Sequence, residues 1–270
     1  DHAATPAFTN TLKGDAGIDI KYGLTKGLPA DLTYNPDFAQ VEVDEMQVNL
    51  TRFGLFFPEK RSFFLEGRDI FYFGGAGPRF SSLPSGDAPL LFFSRRIGLN
   101  EGQPIPILGG GRVTGRVGPY AVGLLNIQTD DGPTNTVKTT NFSVVRLKRD
   151  IFSRSTVGVI ATHRSKALDV PGSNSVYGLD TRLAFFSNFF IDAYYAQTRT
   201  QGRTGDDASY RTRMENNGDR YGFVVEHLKV GKDFSPEIGF MRREDFRRSF
   251  GEVRFSPRHI SSNVVRKYTL

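Results

Sequence analysis

The chain contains no cysteine and no tryptophan, and it has no long apolar run. Without cysteine there is no disulfide framework, and the scattered histidines lack metal-ligand spacing, so we expect no tetrahedral zinc site and no metal cofactor. A membrane-spanning helix needs about 18 or more consecutive apolar residues. The longest uncharged apolar stretches, at 90–93 and 157–161, are far shorter. A bundle of transmembrane helices is therefore excluded.

The composition favours strands and tight turns over packed helices. Hydrophobic residues make up 38% of the chain, and phenylalanine (24), tyrosine (10) and glycine (29) are abundant. The net charge is +6, but basic and acidic residues are mixed along the chain, as in the run from 242 to 248. Mixed charge of this kind indicates solvated loops or a polar lumen. We therefore expect no nucleic-acid partner.

Alternation of apolar and polar residues recurs throughout the sequence. It is clearest in Tyr177–Phe185, and it predicts half-buried strands. Strands of about ten residues fit a tilted membrane crossing, whereas strands of soluble sandwiches average about five or six. The predicted strands from the middle of the chain onward are 107–117, 120–129, 140–150, 156–163, 176–186, 189–198, 220–230, 234–242, 248–255 and 263–269.

The connections between these strands are of two kinds. Short turns, such as Gly118-Pro119, alternate with long polar loops at 129–139, 164–175 and 199–218. Short turns at one rim and long loops at the other are typical of outer-membrane barrels. We therefore expect residues 1–270 to form one all-β domain, an antiparallel transmembrane β-barrel of the outer membrane.

The ends of the sequence indicate that the barrel is larger than this chain. The first residues have neither the basic nor the apolar region of a signal peptide. The pattern also gives roughly thirteen strands, whereas bacterial single-chain barrels have even numbers. We expect the chain to be a truncated part of a larger barrel.

One segment, 35–77, does not fit a membrane strand, because charges stand directly beside paired aromatic residues. Such a segment cannot face lipid, so we expect it to fold into the barrel as a plug or constriction. The alternative is a periplasmic turn that only covers the barrel mouth. The charged residues that we expect to pair in or near the plug are Asp37, Glu42, Glu59, Lys60, Arg61, Glu66, Arg95 and Arg96.

A second group of charged residues is expected to point inward from the strands. A predominantly basic lumen wall predicts a channel for polar or anionic solutes such as saccharides. The alternatives are a non-transporting anchor or scaffold for a glycan-binding or partner-binding module, and a soluble glycan-active β-sandwich. The predicted wall residues are Arg112, Arg116, Arg146, Lys148, Asp180, Arg182 and Asp192.

The sequence carries no catalytic motif that would support an enzyme. It has neither a Gly-x-Ser-x-Gly nor a His-Glu-x-x-His pattern, and the glycines at 109–111 stand between strands without a following Lys-Ser or Lys-Thr. Carboxylate pairs such as Asp206-Asp207 would need a partner that the fold brings close. We expect no enzymatic activity and no cofactor.

Three motifs in a fixed order carry a family resemblance: 31–42 (DLTYNPDFAQVE), 57–67 (FPEKRSFFLEG) and 93–98 (FSRRIG). They resemble the bacterial domain of unknown function 5916. This resemblance implies an outer-membrane β-barrel, often preceded by a family-nine-like carbohydrate-binding module. It thus implies outer-membrane lipid, and envelope proteins or saccharides, as partners. It does not imply an activity.

Overall fold

A computed structural model describes residues 16–36, 56–75, 87–100, 103–132 and 138–257. Their main element is one antiparallel sheet of 11 strands, in which each strand pairs with its neighbours along the chain. The all-β antiparallel prediction is confirmed. The strands of the sheet are β1 (Ile18–Thr25), β2 (Leu28–Tyr34), β5 (Ile107–Val117), β6 (Tyr120–Thr129), β7 (Thr140–Ile151), β8 (Ser155–Arg164), β9 (Asn174–Phe185), β10 (Phe189–Thr200), β11 (Ala208–Asn217), β12 (Tyr221–Val230) and β13 (Phe246–Phe255).

In the part of the chain that the structure describes, the elements outside this sheet are short. Strands β3 (Leu99–Asn100) and β4 (Gln103–Pro104) form a small hairpin, and helix α1 spans Ser62–Leu65. Two 3-10 turns lie at Arg68–Phe71 and Ser94–Arg96. Within the described part of the chain, no helix is long and apolar enough to cross a membrane.

The sheet has two faces of different chemistry, which we call the covered face and the bare face. Residues paired directly across strands share a face, so the register assigns each side chain to one of the two faces. Arg146 pairs with Gly123 and Ile160 on the covered face, while its neighbour Leu147 pairs with Val122 and Val159 on the bare face. The bare face is rich in exposed apolar side chains, whereas other parts of the chain pack on the covered face.

The layer on the covered face comes from three described segments, 56–75, 87–98 and 231–242, which together we call the inner layer. The last two are joined by backbone hydrogen bonds, for example from Phe93 N–H to the Ile238 carbonyl at 2.8 Å. Apolar side chains of the inner layer form a core with strand residues of the covered face. The buried inner-layer members of that core are Phe64, Phe71, Phe73, Leu91, Ile97, Phe234 and Ile238.

The connections follow the predicted asymmetry. The turns at 26–27, 118–119, 152–154, 186–188 and 218–220 lie at one end of the sheet, and the longer connections that follow β6, β8, β10 and β12 begin and end at the other. We call these the short-turn end and the long-loop end. The chain from β2 to β5, which includes two segments of the inner layer, also leaves and re-enters at the long-loop end.

Two strand assignments made from the sequence were wrong. The stretch 234–242 is not a strand of the sheet but part of the inner layer, where Gly239 N–H bonds the Pro236 carbonyl in a turn. Conversely, β11 lies within the predicted loop 199–218. Its alternation was missed because charged residues occupy its covered face. The predicted strand 263–269 lies outside the described residues.

The described sheet is open, because its two outer strands, β1 and β13, do not pair with each other. All eight residues of β1 are exposed, which fits its position at one edge of the sheet. An exposed strand edge offers unpaired backbone groups to a further strand. The antiparallel sheet is therefore established here, and closure into a barrel is a separate step.

Candidate functional site: arginine clamps on the covered face

Arg146 of β7 is the most buried ion-pairing group of the covered face. Its side chain has no exposed surface, and its guanidinium binds both carboxylate oxygens of Asp180 on β9, at 2.6 and 2.8 Å. The same guanidinium donates to the Tyr72 carbonyl at 2.9 Å, and Asp180 accepts from Gly74 N–H at 3.1 Å. A charge on the sheet thus fixes the backbone of the inner layer.

Arg112 of β5 makes a similar arrangement nearer to the β1 edge of the sheet. It pairs with Asp31 of β2 and donates to the backbone carbonyls of Phe63 and Glu66. The Glu66 carboxylate in turn accepts from Arg112 at 3.1 Å and from Lys21 of β1 at 2.6 Å. These contacts connect β1, β2 and β5 to the start of the inner layer.

Arg211 of β11 makes the third arrangement. It binds the buried Glu226 carboxylate of β12 at 2.6 and 3.0 Å and donates to the Gly74 carbonyl at 3.0 Å. Glu226 also accepts from Arg248 of β13 at 2.5 Å, and Arg213 lies 3.6 Å away. One buried carboxylate therefore balances several arginines.

The three arginines donate to backbone carbonyls of one segment, residues 62–74, which we call the clamped segment. Each clamp combines a strand arginine, a carboxylate from another strand and a carbonyl of the clamped segment. A buried charge is tolerated only when it is paired and its remaining donors are used. The clamps therefore satisfy buried charges and hold the clamped segment against the sheet at three points.

A fourth ion pair stands within the inner layer itself. Arg61 binds Glu59 at 2.8 Å and donates to the carbonyls of Ile97 and Ser94 at 2.8 and 2.9 Å. Burial by itself would raise the pKa of the Glu59 carboxyl, but the hydrogen bonds and charge of Arg61, helped by the Ser94 hydroxyl, hold that pKa below its ordinary value. This pair ties the segment at 59–61 to the segment at 94–97.

Acid should weaken that tie. A carboxyl whose pKa is lowered by folding adds stability above its unfolded pKa of about 4.3 and loses it as the pH falls through the lower folded value. We expect Glu59→Gln to reduce stability at neutral pH and to flatten its decline on acidification. The measurement is the urea midpoint of unfolding between about pH 3 and pH 7.

Glu237→Gln is the control, because folding shifts the pKa of Glu237 in the opposite direction to that of Glu59. Burial raises the pKa of this carboxyl, although Leu168 N–H and Arg164 act against the shift. A raised folded pKa gives stability that is present at low pH and is lost as the pH rises, so Glu237→Gln should not flatten the acid limb. If the urea midpoint of Glu59→Gln falls with acid as steeply as that of the wild type, Glu59 is not the cause of that loss of stability.

Glycines of the covered face leave room for the clamped segment. A Cβ at Gly178 of β9 would lie 2.6 Å from the ring of Phe73 and 2.9 Å from Leu91. Both are buried core residues, so neither can move away freely. Close packing here depends on the absence of a side chain at position 178.

Substitution of Gly178 by alanine is therefore expected to lower the free energy of unfolding by about 1–3 kcal/mol, the usual effect of overpacking a core. Gly251→Ala is the matched control, because a Cβ at this strand glycine has no neighbour within 4 Å. Urea unfolding of both variants measures the difference. Equal midpoints would contradict the close approach of Phe73.

The predicted wall residues all lie on the covered face, but most are already paired. Arg112, Arg146 and Asp180 belong to the clamps. Arg116 pairs with Asp150 at 2.7 Å in an exposed position, and Arg182 lies 3.7 Å from the buried Asp192. Lys148 is half-buried on the same face. The basic field expected from the sequence is thus largely offset by neighbouring carboxylates.

The predicted plug residues that the structure describes are distributed over the inner layer. Arg95 donates to the Pro58 carbonyl at 2.9 Å, and Arg96 donates to the Gly239 carbonyl at 3.2 Å. The Lys60 side chain is exposed. Glu59, Arg61 and Glu66 make the contacts given above, whereas Asp37 and Glu42 lie outside the described residues.

Several clamp residues were not singled out from the sequence: Asp31, Arg211, Arg213, Glu226 and Arg248. Asp31 alternates with Leu32 and stands in the first family motif, so its position was readable but its partner was not. Within the described residues, no group of three or more histidine, aspartate or glutamate side chains is arranged to hold a metal ion.

Comparison with protein families gives one match. Residues 3–106 match the family described as Domain of unknown function (DUF5916). The match covers 104 of the 270 residues, from position 3 to position 106. The matched region contains β1, β2, the clamped segment and the 3-10 turn with Arg95 and Arg96. The match confirms the resemblance that was inferred from the motifs. The carbohydrate-binding module is not part of this match and stays an expectation. No curated protein and no solved structure matches the chain.

Proposed function

We propose that this chain forms the wall of an outer-membrane β-barrel, with the bare face against lipid and the inner layer inside. The main support for this proposal is the exposed apolar surface of the bare face. Its side chains include Leu179, Val225 and Val145, which are 60%, 53% and 46% exposed. Soluble monomers rarely expose apolar patches larger than a few hundred Å². Lipid contact removes this exposure from water.

The spacing of aromatic residues on the bare face supports the proposal. On β9, Tyr177 lies toward the long-loop end and Phe185 toward the short-turn end, with Leu179 and Leu183 between them. Eight residue steps of a strand span about 26 Å, or about 20 Å across a bilayer at the usual tilt. Outer-membrane barrels have an apolar band of about 25 Å between aromatic girdles.

The packing of the inner layer favours a closed interior. Its aromatic and aliphatic side chains fill the covered face toward the long-loop end, and the clamps fix its backbone at several points. A water-filled path needs polar walls, not a packed apolar core. We therefore propose that the barrel acts as a non-transporting anchor or scaffold in the outer membrane, for an envelope protein or a glycan-binding module.

Transport of polar or anionic solutes, such as saccharides, is the second candidate function. It is favoured by the accessible charges of the covered face toward the short-turn end, where the side chains of Arg116 and Arg182 are 62% and 42% exposed. These groups would line a vestibule below the inner layer. Solute passage would then require the inner layer to move.

Membrane extraction followed by bilayer recording tests both candidates. For a barrel, we expect the natively expressed protein to resist carbonate and urea washes, to need detergent, and to migrate faster on a gel before heating. Release by carbonate would overturn the membrane location. For an anchor, planar bilayers containing the protein should show no steady conductance, and a stable conductance would support the transport function.

A further inference from the structure

Charge is distributed unequally between the two faces of the sheet. The register places every acidic residue of the described strands on the covered face: Asp19, Asp31, Asp150, Asp180, Asp192, Glu215, Glu226 and Glu252. The charged residues on the bare face of these strands are all basic: Arg149, Arg199, Lys229 and Arg247. The mixed charge of the sequence therefore separates into an ion-paired face and a face without carboxylates.

At the short-turn end, the bare face carries a row of aromatic rings beside two arginines. Arg149 lies over Tyr120 at 5.5 Å, and Arg220, which directly precedes β12, lies over Tyr221 at 5.5 Å. The rings of Phe185, Phe189 and Phe223 continue the row between them, at centroid distances of 6.0 and 6.2 Å. We call this row, with Phe255 beside Tyr221, the short-turn rim.

The arginines of the short-turn rim have no carboxylate partner among the described residues, since neither Arg149 nor Arg220 makes an ion pair there. At the long-loop end of the bare face, Lys229 pairs with Asp206 at 2.7 Å, while Arg199 and Arg247 lie outside the row of rings. An arginine beside an aromatic ring keeps most of its donors free, and its planar fork suits phosphate. The short-turn rim thus combines two arginines that have no carboxylate partner among the described residues with a row of aromatic rings.

We propose that the short-turn rim binds the phosphate groups of anionic phospholipids, with Arg149 and Arg220 as the phosphate-contacting residues. The ligand must supply an anion directly beside an apolar band, and a phospholipid carries both parts in one molecule. Outer-membrane barrels point their short turns toward the periplasm, so the lipids concerned are those of the periplasmic leaflet. This inference rests on the proposed membrane location and names the lipid class that the rim selects.

The test uses the full chain, purified in a neutral detergent and mixed with equal amounts of phosphatidylglycerol and phosphatidylcholine of the same acyl chains. Native mass spectrometry then counts the lipids retained. A surface arginine contributes about a fivefold preference for anionic lipid. We expect wild-type protein to retain phosphatidylglycerol preferentially, each of Arg149→Ala and Arg220→Ala to lose about fivefold, and the double variant to lose most of the preference.

Two variants make the result specific. Arg116→Ala with Arg254→Ala removes the same charge at the same end of the sheet but from the covered face, and it should keep the preference. Arg149→Lys with Arg220→Lys should retain part of it. Equal retention of both lipids by the wild type, an unchanged preference in the double alanine variant, or an equal loss in the covered-face variant would overturn the inference.

Failure of the inference is distinguishable from failure of the proposed function. If the wild-type protein resists carbonate but shows no headgroup preference, the membrane location stands and the lipid class is wrong. If carbonate releases the protein, the proposed function itself fails. Faster migration before heating verifies in each variant that the sheet is folded.

Discussion

Replacing Arg146 by alanine is expected to lower the free energy of unfolding by about 3–5 kcal/mol, the usual effect of removing one partner of a buried ion pair. The reason is geometric. The variant would leave the carboxylate of Asp180 buried without its arginine and would free the Tyr72 carbonyl, so the middle clamp would be lost on both sides. Urea unfolding in detergent, followed by the gel shift of the folded form, measures the effect.

Arg116 provides the matched control for this prediction. It makes a similar hydrogen-bonded pair with Asp150, but its side chain is 62% exposed and that of Asp150 is 40% exposed. Exposed pairs contribute about 0–1 kcal/mol, so Arg116→Ala should change the unfolding midpoint little. If the Arg146 and Arg116 variants lose the same stability, the clamps are not what holds the inner layer.

A double substitution separates the charge of the clamp from its packing. Replacing a buried ion pair by apolar residues of similar volume is often neutral or stabilising. Arg146→Met combined with Asp180→Leu should therefore recover much of the stability lost in Arg146→Ala. The clamped segment would still lack its donor at the Tyr72 carbonyl, so faster proteolysis of that segment in the double variant would show the clamp's positioning role.

The strands were predictable from the sequence wherever apolar residues alternate with polar ones. Bare-face residues such as Leu179 and Leu183 gave β9 its pattern, and that strand was predicted to within two residues. The pattern is weak in β11, where Arg211 and Arg213 alternate with Tyr210 and Thr212, so neither set is aliphatic. A strand of this kind is recognised by its pairing partners, which only the folded sheet supplies.

The candidate site was predictable only in part, for a related reason. The period of two placed Arg112, Arg146 and Asp180 on one face, as the register has them. It did not predict that Asp31 and Glu226 would complete the other clamps, because those pairs depend on the neighbouring strands. The remaining ligands are backbone carbonyls of the clamped segment, and a carbonyl leaves no signature in the sequence.

The same alternation explains why the charge of the chain has to be counted face by face. The predicted wall residues are predominantly basic, yet the covered face holds all the strand carboxylates beside its arginines. Counting charge along the chain mixes two faces that never share an environment. Once the faces are separated, the strand carboxylates and most of the ion pairs lie on the covered face, and both faces keep an excess of basic residues.

Substitution of Val159 by arginine is the second prediction with a large expected effect. Val159 lies on the bare face in the middle of β8, between Val157 and Ala161. In a membrane barrel, an arginine at the bilayer midplane is expected to cost about 2–4 kcal/mol, because its charge must leave water. In a soluble sheet, the same change at a half-exposed position would stay within about 0.5 kcal/mol.

His163→Arg is the control, since His163 lies on the same strand and the same face, four residues nearer the long loops. The cost of a lipid-facing arginine falls to about 0–1 kcal/mol near the interface, so the two variants should differ by about 2 kcal/mol or more. Unfolding in lipid vesicles, with insertion checked by the gel shift, measures that difference. Depth dependence of this kind arises only if the bare face contacts a bilayer, so equal effects at the two positions would argue for a soluble sheet whose apolar face is covered by protein.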